Sequence, residues 1–273
     1  MSLDVVFWGV RGSIATPGPD YVEFGGNTSC VEMICRGRKL IFDAGTGIRP
    51  MGNAMTADGV SNADIFLSHT HWDHINGFPF FGPAFNPANH FTVRAGHLKA
   101  PESIKNTMAG QMTQPFFPVP LDVMSATLEF EDFEAGTTLD MGDGILIHTF
   151  ALNHPNGATA YRVEFEGAAA CYVTDNEHTP GKIDQGLQDF LQGADLLIYD
   201  CMYDDASFAP KVGWGHSTWQ EGVRIAQGAG VKQLAIFHHD PDCVDSIMRE
   251  IEKAAKAEWA GAFVAREGLK ISL

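Results

Sequence analysis

The chain is 273 residues long, 45% hydrophobic and 11% aromatic, with a formal charge of −16. That length supports a sizeable core, and the acidity argues against extensive binding to a nucleic-acid backbone, which relies on clustered Lys and Arg, whereas only 18 are spread through this chain. Leu3 to Val10 is interrupted by Asp4 and lacks the basic flank of a secretory signal, and no segment has the apolar length of a membrane span. The five cysteines form no C-x-x-C pair, so neither a disulfide framework nor a cysteine zinc knuckle is suggested, and a cytoplasmic location is expected.

In chain order, Leu3 to Trp8, Cys30 to Cys35, Lys39 to Phe42 and Ile65 to Ser68 read as strands. A first helix is expected from about Pro101 to Gly110. The following stretch, residues 110–123, carries Pro115, Phe116, Phe117, Pro118 and Pro120, too many prolines for a helix or a central strand. It reads either as a surface loop or as an apolar lid or dimer contact over the active site. Strands at Ile145 to Phe150, Ala160 to Phe165 and Ala168 to Thr174 come next, then a helix at Gln185 to Gln192 and a strand at Leu196 to Asp200. A helix at Thr218 to Gln227 has Ser217-x-x-Gln220 as its capping box. A strand at Gln233 to Phe237 and a helix at Val244 to Trp259 complete the series. This order predicts two packed sheets with helices outside, in one domain spanning 1–273.

The run His69-Thr70-His71-Trp72-Asp73-His74 directly follows an apolar strand, so its side chains sit where a strand gives way to a loop. Two histidines one residue apart in a turn can converge on one cation, while the following Asp and His project toward a second. A polar loop without chemistry is the bland alternative, and four nitrogen and oxygen ligands in six positions weigh against it. Trp72, inside this loop, is expected to pack rather than to meet substrate. His90, His97, His148 and His178 have no partner spacing that recruits them and read as structural or surface residues.

The H-x-H-x-D-H run resembles the hallmark of the metallo-β-lactamase superfamily. Within it, Phe7-Trp8-Gly9-Val10-Arg11-Gly12-Ser13, Gly26-Asn27-Thr28-Ser29 and Phe42-Asp43-Ala44-Gly45 are most similar to the phosphodiesterase branch that includes ribonuclease Z and the cyclic-phosphate hydrolase of phosphonate breakdown. The resemblance implies an α/β (α+β) fold, a four-layer αββα sandwich with metals at one edge. It implies His69, His71 and His154 as the first ligand set. Asp73, His74 and the final histidine form the second, with Asp175 bridging. The final histidine is ambiguous, since His238 and His239 are adjacent; strand placement favours His238, with His239 orienting a ligand. Asp43 is expected to be a hydrogen-bonder behind the metals, and Asp200 either supports the site or caps a turn. The run Gly215-His216-Ser217-Thr218 at a helix start resembles that branch's non-ligand histidine, which makes His216, with Asp73, a catalytic candidate.

These residues imply two divalent cations, zinc first, with manganese and iron also suited to the donors. The expected function is hydrolysis of a small or cyclic phosphodiester by a metal-bridging hydroxide. The partner expectations are a small-molecule substrate, no extensive nucleic-acid binding, no membrane, and a homodimer through Phe116 and Phe117. Hydrolysis of a lactam, lactone or thioester is the second reading, which Gly215-His216-Ser217-Thr218 disfavours. A tRNA-processing nuclease is disfavoured by the absence of a long basic, glycine-rich arm. A metal-holding protein without turnover is the third reading, and the filled ligand positions weigh against it.

Overall fold

The computed structural model describes residues 3–273. In chain order the main elements are β1 (Leu3–Gly9), β2 (Cys30–Cys35), β3 (Arg38–Phe42), α1 (Ile48–Ala57), β4 (Asn62–Leu67), α2 (Trp72–Ile75), β5 (His90–Ala95), α3 (Ile104–Gln111) and β6 (Thr127–Asp132). The second half holds β7 (Thr138–Asp140), β8 (Leu146–Leu152), β9 (Ala158–Phe165), β10 (Ala168–Val173), α4 (Gln185–Leu191), β11 (Leu196–Asp200), α5 (Trp219–Gly228), β12 (Gln233–Phe237), α6 (Asp245–Glu258), β13 (Ala262–Val264) and β14 (Lys270–Ser272).

Two seven-stranded mixed sheets result, ordered β14-β1-β2-β3-β4-β5-β6 and β13-β12-β11-β10-β9-β8-β7. Period-two alternation sorts the side chains into layers. On β10, Ala170 and Tyr172 face the space between the sheets, while Cys171 and Val173 face the outer helices; β12 divides Ala235 and Phe237 from Leu234 and Ile236 in the same way. The central layer joins these to Val5, Phe7, Met33, Leu40 and Phe42 of the first sheet. Helices α4, α5 and α6 cover the outside of the second sheet through Leu187, Leu191, Val223, Ala226 and Met248. Helices α1 and α3 cover the first through Ile48, Met51, Met55, Ile104 and Met108. The architecture is therefore the αββα sandwich. No helix among the described residues is long and apolar enough to cross a membrane.

Helix α1 departs from the sequence expectation, since its Pro50 and Gly52 look like breakers. Pro50 lies in the first turn, where its missing N–H costs nothing, and Gly52 lies on the buried face against Phe81, where an added Cβ would come within 2.8 Å of the ring. The capping box is also displaced by one residue. Thr218 is the N-cap and its hydroxyl accepts from Glu221 N at 3.1 Å, whereas Ser217 turns inward to His178 and Tyr199. In residues 110–123, Phe117 packs edge-on against Phe80 and Phe116 is exposed.

The parallel registers β3·β4, β10·β11 and β11·β12 bring the C-terminal ends of these strands to one edge of each sheet. Ser68 follows β4, Thr174 follows β10 and His238 follows β12 at these ends, while Asp200 closes β11. Strand β8 runs antiparallel to β9, as does β10, so the residues after Leu152 emerge at the same end.

Candidate metal centre

Among the residues just beyond strand ends that have left-handed backbones are Asp43 (φ 62°), Asp175 (φ 56°) and His238 (φ 59°). Non-glycine residues adopt this region at a cost that surrounding structure must offset, and such positions concentrate at functional sites. For Asp43 the offset is visible. Its buried carboxylate accepts from Ser68 N (2.6 Å), Ser68 Oγ (2.8 Å), Tyr172 OH (2.7 Å) and His74 Nδ1 (2.7 Å). The last bond fixes the His74 tautomer and leaves Nε2 with its lone pair toward the site.

One ligand atom from each of His69, His71 and His154 lies within 4.8 Å of the others, and the same holds for Asp73, His74 and His238. Asp175 lies between the two sets. Its Oδ1 is 3.8 Å from both His69 Nε2 and His154 Nε2, while its Oδ2 is 3.2 Å from His74 Nε2 and 3.3 Å from His238 Nε2. Ser13 N donates to Asp73 Oδ2 at 2.8 Å, bringing the backbone so close that a Cβ on Gly12 would lie 2.5 Å from the His238 ring.

The donor set fits cations. His69 Nε2 is buried without a hydrogen-bond partner. The His154 Nδ1–H donates to Gly215 O at 2.8 Å, so its Nε2 lone pair faces His71 Nδ1 at 3.1 Å. Burial, with the neighbouring histidines, pushes His69 well below the usual histidine range and lowers His71 and His154, keeping them as neutral donors. Burial works against charge on Asp175 and Asp73, yet the surrounding histidines hold both carboxyls well below the usual range. For His74, burial is outweighed by Asp73, Asp175 and Asp43, which hold it well above its usual value; that environment favours positive charge at this spot.

His216 lies beside the second set. Its ring stacks on His238 with centroids 5.1 Å apart, its Nδ1 donates to Asp200 Oδ2 at 2.9 Å, and the same nitrogen is 3.6 Å from Asp175 Oδ1. Burial lowers its basicity, but Asp200, Asp175 and Asp73 overcome that and raise it to about 9. Asp200 also makes the turn-capping contact expected of it, its Oδ1 accepting from Met202 N at 3.1 Å. His239 points the other way, its Nε2–H donating to Ala265 O at 2.8 Å.

Trp72 departs from expectation. It does not pack but is 83% exposed, because α2 turns His74 and Ile75 inward and leaves the indole on the outer face. His97 bonds Thr70 Oγ1, and His178 bonds Ser217 Oγ and stacks on Phe208, so both support loops of the site. His90 and His148 pair with Glu129 and Glu164 instead. Glu177 follows Asp175 into the site, but nothing in its spacing marks its contacts with the distant Gly213 and Gly215.

A family model described as "Beta-lactamase superfamily domain" matches residues 38–239, and the chain belongs to that family. The ribonuclease Z of Gemmatimonas aurantiaca is 26% identical over 327 aligned positions, covering 100% of this chain and 96% of that protein. Because this chain has 273 residues, the relative carries segments that have no counterpart here. The metallo-β-lactamase fold protein YhfI from Bacillus subtilis superposes with a TM-score of 0.73 at 19% identity, covering 100% and 99% of the two chains. The short form of human tRNase Z superposes with a TM-score of 0.66 at 18% identity, covering 98% of each. The chain is a divalent-metal-dependent hydrolase with phosphodiesterase-type relatives. One expectation is overturned. Relatives named for cleaving RNA conflict with a small-molecule substrate and with the exclusion of extensive nucleic-acid binding. Net charge was a poor guide to partner, because it does not say where on the surface the charges lie.

Proposed function

We propose that the chain hydrolyses phosphodiester bonds of RNA at a two-metal centre held by His69, His71 and His154 on one side and Asp73, His74 and His238 on the other. The observation that carries this reading is Asp175, which turns one oxygen toward each set. When bound, two such cations supply Lewis acidity toward water and charge compensation for a phosphate. Zinc suits the imidazole-rich set best, with manganese and iron also compatible.

The chain's own groups do the rest. Asp43 and the Gly215 carbonyl hold the tautomers of His74 and His154. His216, oriented by Asp200, is placed to bind a phosphate oxygen or to give a proton to the leaving alkoxide, whose expulsion otherwise builds a full negative charge. Cations held by Asp73 and Asp175 would offset the lesser part of the negative charge that raises His216, whereas Asp200, its largest raising influence, would remain. Asp73 belongs to the ligand set and is also fixed by Ser13 N. The whole of 1–273 serves as one catalytic domain, with 110–123 as a lid packed through Phe117 on Phe80. A cytoplasmic setting accords with five free cysteines.

The test is a substrate panel on metal-reconstituted protein: a structured RNA with a 3′ extension, bis-p-nitrophenyl phosphate, p-nitrophenyl phosphate and a lactam. Endonucleolytic cleavage of the RNA is expected. Cleavage of the nitrophenyl diester alone would remove the RNA assignment, and activity on the lactam alone would remove the phosphodiesterase assignment.

A further inference from the structure

Glu177 holds together two loops that the chain separates widely. Its carboxylate accepts from Gly213 N at 2.9 and 2.8 Å and from Gly215 N at 2.7 Å. Its own backbone is tied to the other loop: Glu177 N donates to Asn153 O at 2.8 Å, and Asn153 Nδ2 donates to Glu177 O at 2.8 Å. Residue 154 follows directly, and its Nδ1–H donates to Gly215 O at 2.8 Å. Gly215 must be glycine there, with φ at +88° and any Cβ falling 2.3 Å from His154 Nδ1.

The connection runs one way through these contacts. Glu177 places the 213–215 backbone, the Gly215 carbonyl then fixes the tautomer and orientation of His154, and His154 Nε2 is thereby set 3.1 Å from His71 Nδ1. Among the described residues Glu177 makes no hydrogen bond to the second set, where His74 is oriented by Asp43 and Asp73 by Ser13 N, and the loop it holds reaches that set through the ring contact of His216 with His238. We infer that Glu177 is a positioning residue that tunes the affinity of the His69, His71 and His154 set for its metal while leaving the other set unchanged. A carboxylate is suited to this task because it is acceptor-only and can take several N–H groups at once.

The inference rests on the two-metal reading, and its test separates the two. Chelator-stripped wild type, Glu177→Ala and Glu177→Gln are titrated with Zn²⁺ against a chromophoric chelator, with circular dichroism of each stripped protein. Wild type should bind two ions. Glu177→Ala should retain one tight site and weaken the other by about 10–100-fold, the usual cost of removing a ligand's hydrogen-bonded support. Glu177→Gln keeps one acceptor oxygen and the side-chain shape, and should weaken that same site by roughly 3–10-fold. Equal weakening of both sites, or two sites of wild-type affinity in either variant, would overturn the role of Glu177. If Glu177→Ala does not fold, the Gln variant decides alone. Fewer than two ions on wild type would instead sink the two-metal reading.

Discussion

His216 donates from Nδ1 to the Asp200 carboxylate across 2.9 Å, joining the loop before α5 to the end of β11. With Nδ1 committed, Nε2 is the atom left to exchange a proton or bind a phosphate oxygen. His216→Ala should keep its metal content and lose roughly 10²–10⁴-fold in turnover. Asp200→Asn should lose less, about 10–100-fold, because the imidazole remains but its orientation is no longer fixed by a charge. Comparing a diester that leaves as a poor alkoxide with one that leaves as nitrophenolate separates the roles. A general acid matters more for the first, and equal losses would assign His216 to phosphate binding.

The same pair gives a pH signature in chelator-stripped protein. His216 is raised to about 9 in the fold, above its ordinary 6.5, so its contribution to stability is fully present below about 6.5 and is lost as pH rises toward 9. His74 is raised as well and acts with the same sign. The thermal midpoint of stripped wild type should therefore fall from pH 6.5 to 9, and His216→Ala should flatten part of the fall. A midpoint that rises over this range would contradict the arrangement of carboxylates around His216.

The adjacent histidines after β12 should separate cleanly. His238 Nε2 faces Asp73 and Asp175, each at 3.3 Å, whereas His239 is wholly buried, lowered to about 3 by burial and Arg11, and bonded to Ala265 O. His238→Ala should lose one metal with little change in the stripped protein's fold. His239→Ala should keep both and cost about 1–3 kcal/mol from the orphaned carbonyl. Metal analysis alongside denaturant unfolding checks both, and loss of metal from His239→Ala alone would exchange the assignments.

The contrast between these neighbours shows what the sequence could convey. β10, β11 and β12 are short continuous apolar runs buried on both faces, so they, and the loops at their ends, are legible from hydrophobicity. The clustered run from His69 to His74 declares itself because its members are close in the chain. Asp43 was legible only through the likeness of Phe42-Asp43-Ala44-Gly45 to the family, and the role of Glu177 not at all, since their bonds to Tyr172 and Gly215 are made only by folding. Helix α1 was hidden for a different reason. Its Pro50 and Gly52 oppose a helix by local propensity, and packing against Phe81 prevails.

Asp43 is the densest junction behind the metals. Asp43→Ala would leave His74 Nδ1, Ser68 N and Tyr172 OH without their acceptor in a site closed to water. Metal affinity at the set containing His74 should fall by about 10–100-fold, and several kcal/mol of stability, roughly the cost of multiple unpaired buried donors, should go with it. Tyr172→Phe removes one donor and leaves Asp43 in place, so it should cost only about 1 kcal/mol and preserve metal binding. An Asp43 variant with normal metal affinity would show that the His74 tautomer needs no such support.

Salt dependence tests how an acidic chain could hold RNA. Each phosphate neutralised by Lys or Arg releases counterions, and a protein making 6–10 such contacts loses roughly 10³–10⁵-fold in affinity between 50 and 200 mM salt. Here many cationic side chains are already paired: Arg94 with Asp64 and Glu131, Arg224 with Asp205 and Glu221, Arg266 with Glu252. The chain also lacks the additional segments of its Gemmatimonas relative. Exposed aromatics near the metal centre, such as Trp72 and Trp214, the latter under Lys211 Nζ at 4.3 Å, offer faces on which bases could stack. The KM for RNA should rise over the same salt range by a factor that counts the phosphates neutralised by Lys and Arg. Trp72→Ala and Trp214→Ala should raise it while leaving hydrolysis of a nitrophenyl diester unaffected. A steep salt slope with no response to either tryptophan would locate the RNA on a cationic surface away from the metals.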